Sequence, residues 1–276
     1  GGSLKFDYFS PDEKNRLSVF ASAANTDRDS YYGPGNDPLK AYGKTTDLTA
    51  MGGAQYVHTF DKCFFMPSDL TAGLEYNRDR LKDNMWGYNR HTDQTVNIYS
   101  AFLQNEWKND RWGILIGGRL DKHNMVDNVI FSPRANLRFN PTQNINLRLS
   151  YSSGFRAPQA FDEDMHIENV GGTVAMIERA KDLKEEKSQS FSASADMYHR
   201  FGAFQTNLLI EGFYTRLTDV FVLGEPYDRG DGILVKTRSN GPGAKVMGLT
   251  LEGKVAYLSI LQIQAGLTLQ RSRYDE

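Results

Sequence analysis

The sequence is nearly without cysteine. Cys63 stands alone among 276 residues, so neither an internal disulfide framework nor a zinc site built on several thiolates is open to it. No apolar run reaches the roughly 18 residues that a membrane-crossing helix requires. The five histidines are scattered, with no pair at helical metal-ligand spacing. Charge of one sign is not in excess: 32 basic and 34 acidic residues leave a formal net charge of -2. That balance offers no basic stripe for nucleic acid. No serine–histidine–aspartate, cysteine–histidine or paired-carboxylate arrangement stands out, which argues against an enzyme. A hydrolase triad stays open only because triads are set by geometry rather than chain order. The glycines of Asp228-Arg229-Gly230-Asp231-Gly232 and Gly241-Pro242-Gly243 lack the Lys and Ser/Thr of a phosphate loop and read as turns. The opening Gly1-Gly2-Ser3 reads as a cloning scar or a trimmed start.

What the sequence does have is aromatic residues and period-two patterning. Tyr and Phe number 14 and 16, residues that suit strands and membrane interfaces. In 260–270, Leu261, Ile263, Ala265, Leu267 and Leu269 alternate with Gln262, Gln264, Gly266, Thr268 and Gln270. In 144–152, Ile145, Leu147, Leu149 and Tyr151 alternate with Asn144, Asn146, Arg148 and Ser150. The same alternation marks 16–24, 70–79, 134–140, 190–198 and 249–257. The apolar half of each set carries no charge through the strand core, as a lipid-facing surface demands. A mean hydropathy of -0.54 fits such strands, because only alternate residues meet lipid. Segments 94–107 and 204–217 are less clean, with apolar residues on both faces.

The pattern predicts roughly twelve strands: 4–9, 15–24, 45–59, 69–80, 93–107, 111–122, 130–140, 144–152, 186–200, 203–217, 245–257 and 260–272. Their connections alternate in length. Short links fall at 10–14, 108–110, 141–143, 201–202 and 258–259, with an intermediate one at 60–68. Long links fall at 25–44, 81–92, 123–129, 153–185 and 218–244. Outer-membrane barrels pair short periplasmic turns with longer extracellular loops. The expected fold is therefore all-β, an antiparallel up-and-down transmembrane β-barrel. A soluble β-sandwich or propeller is the alternative, and would place Ile145, Leu249 and Ile263 in an enclosed core. Cys63, in the intermediate link on the periplasmic side, is expected to be buried and inert.

Four segments resemble the TonB-dependent receptor family. They are Tyr99–Asp121 (YSAFLQNEWKNDRWGILIGGRLD), Phe131–Tyr151 (FSPRANLRFNPTQNINLRLSY), Ser153–Phe161 (SGFRAPQAF) and Asp182–Phe191 (DLKEEKSQSF). Gly154-Phe155-Arg156-Ala157-Pro158 is the most specific of these. In the last, Glu186 stands near the family's Pro-Glu pair, without the proline. The resemblance covers 99–272 well and 1–98 weakly. It implies a 22-stranded barrel filled by an N-terminal plug domain, with a short motif that recruits TonB. No plug-like sequence and no partner motif are visible, so residues 1–276 are expected to be part of the barrel domain, about 12 of 22 strands, without plug or closing strands.

The resemblance further implies active uptake across the outer membrane. The expected cargo is a ferric siderophore, a small metal chelate, with cobalamin as the alternative. The partners expected are TonB, through the absent N-terminal region, and a bilayer bearing lipopolysaccharide. No cofactor is expected. A passive porin or adhesin barrel is a further alternative. Aromatic and cationic loop residues suit an aromatic, anionic chelate, which makes Tyr31, Tyr32, Trp86, Tyr88, Arg90, His91, Phe161 and His166 the candidate contacts. Asp162, Glu163 and Asp164 could hold Ca²⁺ through their oxygens, although the spacing is not that of an EF-hand. A solvated acidic loop at the barrel rim is the plainer reading of that cluster. Arg156 and Pro158 are expected to shape a strand exit rather than touch ligand.

Overall fold

The computed structural model describes residues 1–31, 42–165, 168–170, 173–230 and 232–275, and, within these, omits the side chains of 162, 163, 168–170, 173 and 174. The described strands are, in order, β1 (Gly2–Phe9), β2 (Asn15–Tyr31), β3 (Tyr42–Cys63), β4 (Met66–Met85), β5 (Arg90–Lys108), β6 (Trp112–His123), β7 (Ile130–Thr142), β8 (Ile145–Arg156), β9 (Glu168–Val170), β10 (Thr173–Arg179), β11 (Glu186–Phe201), β12 (Phe204–Thr218), β13 (Phe221–Leu223), β14 (Tyr227–Asp228), β15 (Ile233–Asn240), β16 (Ala244–Tyr257) and β17 (Leu261–Tyr274). One short helix, α1 (Asp162–Met165), precedes β9.

Twelve strands make one antiparallel sheet, in the order β1 to β8, then β11, β12, β16 and β17. Each of the twelve strands expected from the alternation is present. Neighbours in the chain are neighbours in the sheet except where two loops intervene. The sheet is not closed: β1 and β17 are its two edges, so it is a partial barrel wall. Gly2 and Ser3 belong to that wall, paired with Ala23 and Ser22.

Directly opposite residues share a face of the sheet, so the register sorts every side chain. Leu4, Phe6 and Tyr8 oppose Ala21, Val19 and Leu17. Ile114 and Ile116 oppose Leu137 and Ala135, which lead across to Leu149 and Tyr151. Ile210 opposes Leu251, and Leu251 opposes Leu267. One apolar surface therefore runs across all twelve strands. Leu249 and Ile263 are 42% and 61% exposed, with no second sheet laid over them among the described residues, which excludes a sandwich core.

Two aromatic belts edge this surface. On the short-turn side lie Trp112 against Phe139, with ring centroids 4.2 Å apart, and Phe204 against Tyr257 at 4.9 Å. On the long-loop side lie Tyr76 against Tyr99 at 4.9 Å and Tyr151 against Phe191 at 4.8 Å. Phe204 and Tyr214 mark both belts on β12. At ~3.3 Å per residue and a tilt of about 40°, they stand about 25 Å apart in height, the thickness of an outer-membrane apolar band. Charge returns to this face only at the belts or beyond them, as at Arg78, Arg80, Lys122 and Arg271.

The opposite face is polar and lines the lumen. Arg119 bonds Glu75 at 2.6 Å and Asp121 at 2.8 Å, and Ser150 meets Ser192 at 2.6 Å. Two of the apolar residues that blurred 94–107 and 204–217, Phe102 and Phe213, also lie here, each seated on a glycine. A Cβ at Gly73 would come within 2.2 Å of the Phe102 ring, and one at Gly248 within 2.6 Å of Phe213.

Several links are shorter than expected because paired strands run past the membrane. β3 has 22 residues and β4 has 20, well above the ~9–11 that cross a bilayer. The intermediate link 60–68 closes to a tight turn, with Cys63 paired to Met66 across a bulge and Phe64 at φ 61°. Cys63 is half-buried rather than buried, because a hairpin tip has nothing above it to cover a side chain.

Leu267 lies midway between the belts, whereas Leu147 opposes Phe139 of the short-turn belt. Leu267→Arg is expected to cost ~2–4 kcal/mol and to abolish membrane assembly, and Leu147→Arg to cost about 1 kcal/mol or less. Heat-modifiable electrophoretic mobility of outer-membrane fractions reads both.

Candidate functional site

The long loops gather at one end of the wall. Two of them fall in the long links expected at 153–185 and 218–244. They build a second sheet, in the order β13-β15-β10-β9, with β14 also on β15. Its central pair is parallel, Val174 opposite Ile233 through Arg179 opposite Arg238. The tip expected at 228–232 lies at the end of β14, with Gly230 at φ 100° and Gly232 at φ 80°, values that glycine adopts without strain.

This cap folds inward. Leu81, Met85, Gln94 and His123 all share the lumen parity of their strands, and all are buried. Met85 and Tyr88 pack with Met176 of β10 and Ile233 of β15. The Gln94 carboxamide oxygen accepts from Arg179 Nη1 at 2.8 Å and from the Ala160 amide at 2.7 Å. His123 Nδ1 accepts from the Met125 amide at 3.0 Å, which leaves Nε2 to donate to Gln159 Oε1 at 3.1 Å. The cap is thus fastened to the lumen side of β4, β5 and β6.

The Gly154–Pro158 motif is the hinge-side base of the cap. Phe155 packs on Val126, Ile130 and Ala157. The Arg156 guanidinium lies over Phe161 at 4.0 Å and over Phe221 at 5.3 Å, joining both loops to the end of β8. The Pro158 carbonyl accepts from Arg179. Glu186 fixes the other loop by accepting from the Phe221 amide at 2.8 Å.

The candidate contacts divide by burial. Tyr31 and Trp86 are 48% and 58% exposed, and Tyr31 rests against Tyr42 at 4.9 Å. His91 is paired to Asn84 at the surface. Tyr88 is buried in the apolar seam between wall and cap, where burial raises its phenol above the usual range. Arg90 grips Asp83 through Nε at 3.1 Å and Nη2 at 2.8 Å, and Thr45 donates to the same carboxylate at 2.7 Å. Phe161 is held under Arg156. Tyr32 and His166 lie outside the described residues.

The acidic cluster is not a solvated loop where it is described. Asp164 is buried, ion-paired to buried Arg238 at 2.9 Å, and accepts from the Phe161 amide at 2.9 Å. That last bond is the reach-back of a capping box, which starts α1. A guanidinium thus stands where a cation was considered. The side chains of Asp162 and Glu163 lie outside the described residues. Among the described residues, no group of three or more His, Cys, Asp or Glu could hold a metal. A cleft of about 560 Å³ opens below the cap, reached by Asn77, Asp79, Val96, Ile98 and Gln159.

The family model for the TonB-dependent receptor-like β-barrel matches residues 2–276. The chain belongs to the TonB-dependent receptor family. Its fold is that of solved receptor barrels. The siderophore receptor PirA from Pseudomonas aeruginosa superposes with a TM-score of 0.69 at 14% identity, over 95% of this chain and 51% of that one. A variant of the ferric enterobactin receptor PfeA from Pseudomonas aeruginosa gives 0.71 at 18%, over 97% and 42%. The FrpB iron transporter from Neisseria meningitidis gives 0.69 at 15%, over 99% and 44%. The receptor chain thus spans about half the length of these proteins or less. None of the curated proteins compared by sequence matches it. Membership places the receptor barrel in the outer membrane, with its short turns toward the periplasm and its cap outside.

The His123 latch carries a pH dependence. Desolvation holds the His123 pKa below its ordinary value of 6.5, against the opposing pull of Gln159 and Asp121, with Lys122 adding to the lowering. A lowered pKa means that the latch contributes fully above pH 6.5 and is lost as pH falls through the folded value. Between about pH 7.5 and about pH 5.5, amide exchange at Ala157, Gln159 and Ala160, corrected for intrinsic rates, is expected to accelerate in wild type. In His123→Gln it is expected to show no such acceleration.

Proposed function

We propose that this chain is the barrel portion of an importer that carries a ferric siderophore across the outer membrane. Family membership supports a receptor. The observation that carries the finer reading is the mouth. The two longest loops form one folded cap, latched to the lumen side of the wall, over a cleft of about 560 Å³. A passive pore needs no such closure. A plug domain, contributed by sequence outside these strands, fills the lumen. An N-terminal motif ahead of it engages TonB, which draws on the proton gradient of the inner membrane to open a path.

In this reading Tyr31, Tyr32, Trp86, His91 and His166 belong to the ligand-facing set, and Tyr88, Arg90 and Phe161 hold the mouth in shape. An anionic aromatic chelate would stack on Trp86 and Tyr31. The siderophore receptors that share this fold are consistent with such a cargo.

The test is uptake of ⁵⁵Fe supplied as a ferric triscatecholate by a strain lacking the gene, with and without the restored receptor. Uptake is expected only with the receptor and an intact proton gradient. Trp86→Ala is expected to weaken surface binding by about tenfold, the scale of one stacking contact. Uptake that is the same with and without the receptor would contradict the proposal.

A further inference from the structure

The lumen face of β6, β7 and β8 carries five arginines; Arg156, at the end of β8, holds the cap, and four lie below it. Arg119 is neutralised by Glu75 and Asp121. Arg134, Arg138 and Arg148 form no ion pair with any described carboxylate. Arg138 and Arg148 oppose each other directly across the β7–β8 ladder. Like charges in that position repel and destabilise a sheet. Neither chain neighbour relieves them: Arg138 donates to the Asn109 and Trp112 carbonyls, at 2.8 and 3.2 Å, and Arg148 to Asn146 Oδ1 at 2.7 Å. These contacts hold the two guanidiniums in place without reducing their charge.

Two hollows follow one another down this wall. The upper one, about 440 Å³, is bordered by Arg119, Arg134 and Ser152. The lower, about 380 Å³, is bordered by Arg138 and Arg148, by Glu106 and Glu211, and by Ser150 and Ser192. Arg134 stands above Arg138 by about 13 Å of extended strand at ~3.3 Å per residue. The Arg138–Arg148 pair lies one residue inside the Trp112–Phe139 belt, at the periplasmic end. Beside the arginines, β8, β11 and β12 present a strip of small hydroxyls that bond each other. Ser150 meets Ser192 at 2.6 Å, and Ser190 meets Thr215 at 2.9 Å.

We propose that this wall is a track for anionic cargo, with the Arg138–Arg148 pair as its periplasmic exit site. The inference rests on the import reading and adds the path. Guanidiniums bind carboxylate or catecholate oxygens through a planar fork. Spaced, partly hydrated sites are strong enough to admit an anion and weak enough to release it. The self-paired hydroxyls make the neighbouring strip wettable without needing a fixed partner. A docked protein surface would instead be expected to meet unpaired side chains with its own.

The experiment compares wild type, Arg138→Gln/Arg148→Gln and Arg138→Lys/Arg148→Lys in the complete receptor, using ⁵⁵Fe-loaded triscatecholate. Surface affinity is measured in cells whose proton gradient is collapsed, and uptake rate in energised cells. The glutamine pair is expected to keep surface affinity within about twofold and to lower maximal uptake about tenfold, with substantial recovery in the lysine pair. Equal maximal uptake in all three overturns the track and leaves the import reading standing. Absence of uptake by wild type overturns the import reading, and the track with it. Loss of surface affinity together with new trypsin sensitivity of the glutamine pair assigns the arginines to anchoring the plug, and overturns the track as well.

Discussion

Inside a hydrocarbon layer no water is present to satisfy a backbone amide or carbonyl, and each unsatisfied group costs several kcal/mol. Every other feature of this wall answers to that demand. Extended strands laid edge to edge satisfy their backbone groups only in neighbouring strands, so pairing must be continuous, as it is from β1 to β17. Once the backbone is paired, alternate side chains have no choice but to face lipid, and those positions between the two aromatic belts carry no charge. The belts then fix the depth, because Tyr and Trp rings are amphipathic and settle where the hydrocarbon ends. The open edges of this sheet fit a wall that spans about half the length of the receptors it resembles or less.

The same alternation creates the interior. Residues one step away from the lipid-facing set meet water, and they carry the Arg119 network, the serine pairs and the unpaired arginines. Beyond the outer belt the constraint lapses. There, strands such as β3 and β4 continue as tall hairpins whose lumen-facing residues become docking surface. Met85 and Tyr88 are buried by the cap, and Gln94 and His123 are bonded to it. The mouth is therefore shaped by apolar and polar contacts between distant loops, and its ligand-facing residues are those left over when that packing is complete.

The wall was legible in the sequence because its rule is local. Leu261 through Leu269 alternates with polar residues and needs no other segment to declare its face, and the short-long series of links assigns the two sides. Strand ends were less legible: past the belts no lipid enforces alternation, so the extra turns of β2 to β5 looked like loop. The cap was not legible at all. Val174 pairs with Ile233 across two intervening strands of wall, and no local period announces a long-range parallel pairing. For the same reason Asp164 read as one more acid in a charged loop, although Arg238 waits for it on β15. The glycine seats of Phe102 and Phe213 explain why two strands read as apolar on both faces. Their cue was present in the sequence, an aromatic whose cross-strand neighbour is glycine, but it appears only once the register is known.

The account stands or falls on which side chains touch acyl chains. The direct measurement is nitroxide scanning in a Cys63→Ser background of the receptor in lipid bilayers. Labels are placed one at a time along β12 and β17, and collision with oxygen is compared with collision with a water-soluble nickel chelate. Labels at Leu208, Ile210, Leu267 and Leu269 should favour oxygen, and those at Leu209, Glu211, Thr268 and Gln270 should favour nickel, in strict alternation. A profile without that alternation, or with both sets shielded from both colliders, would contradict the membrane wall.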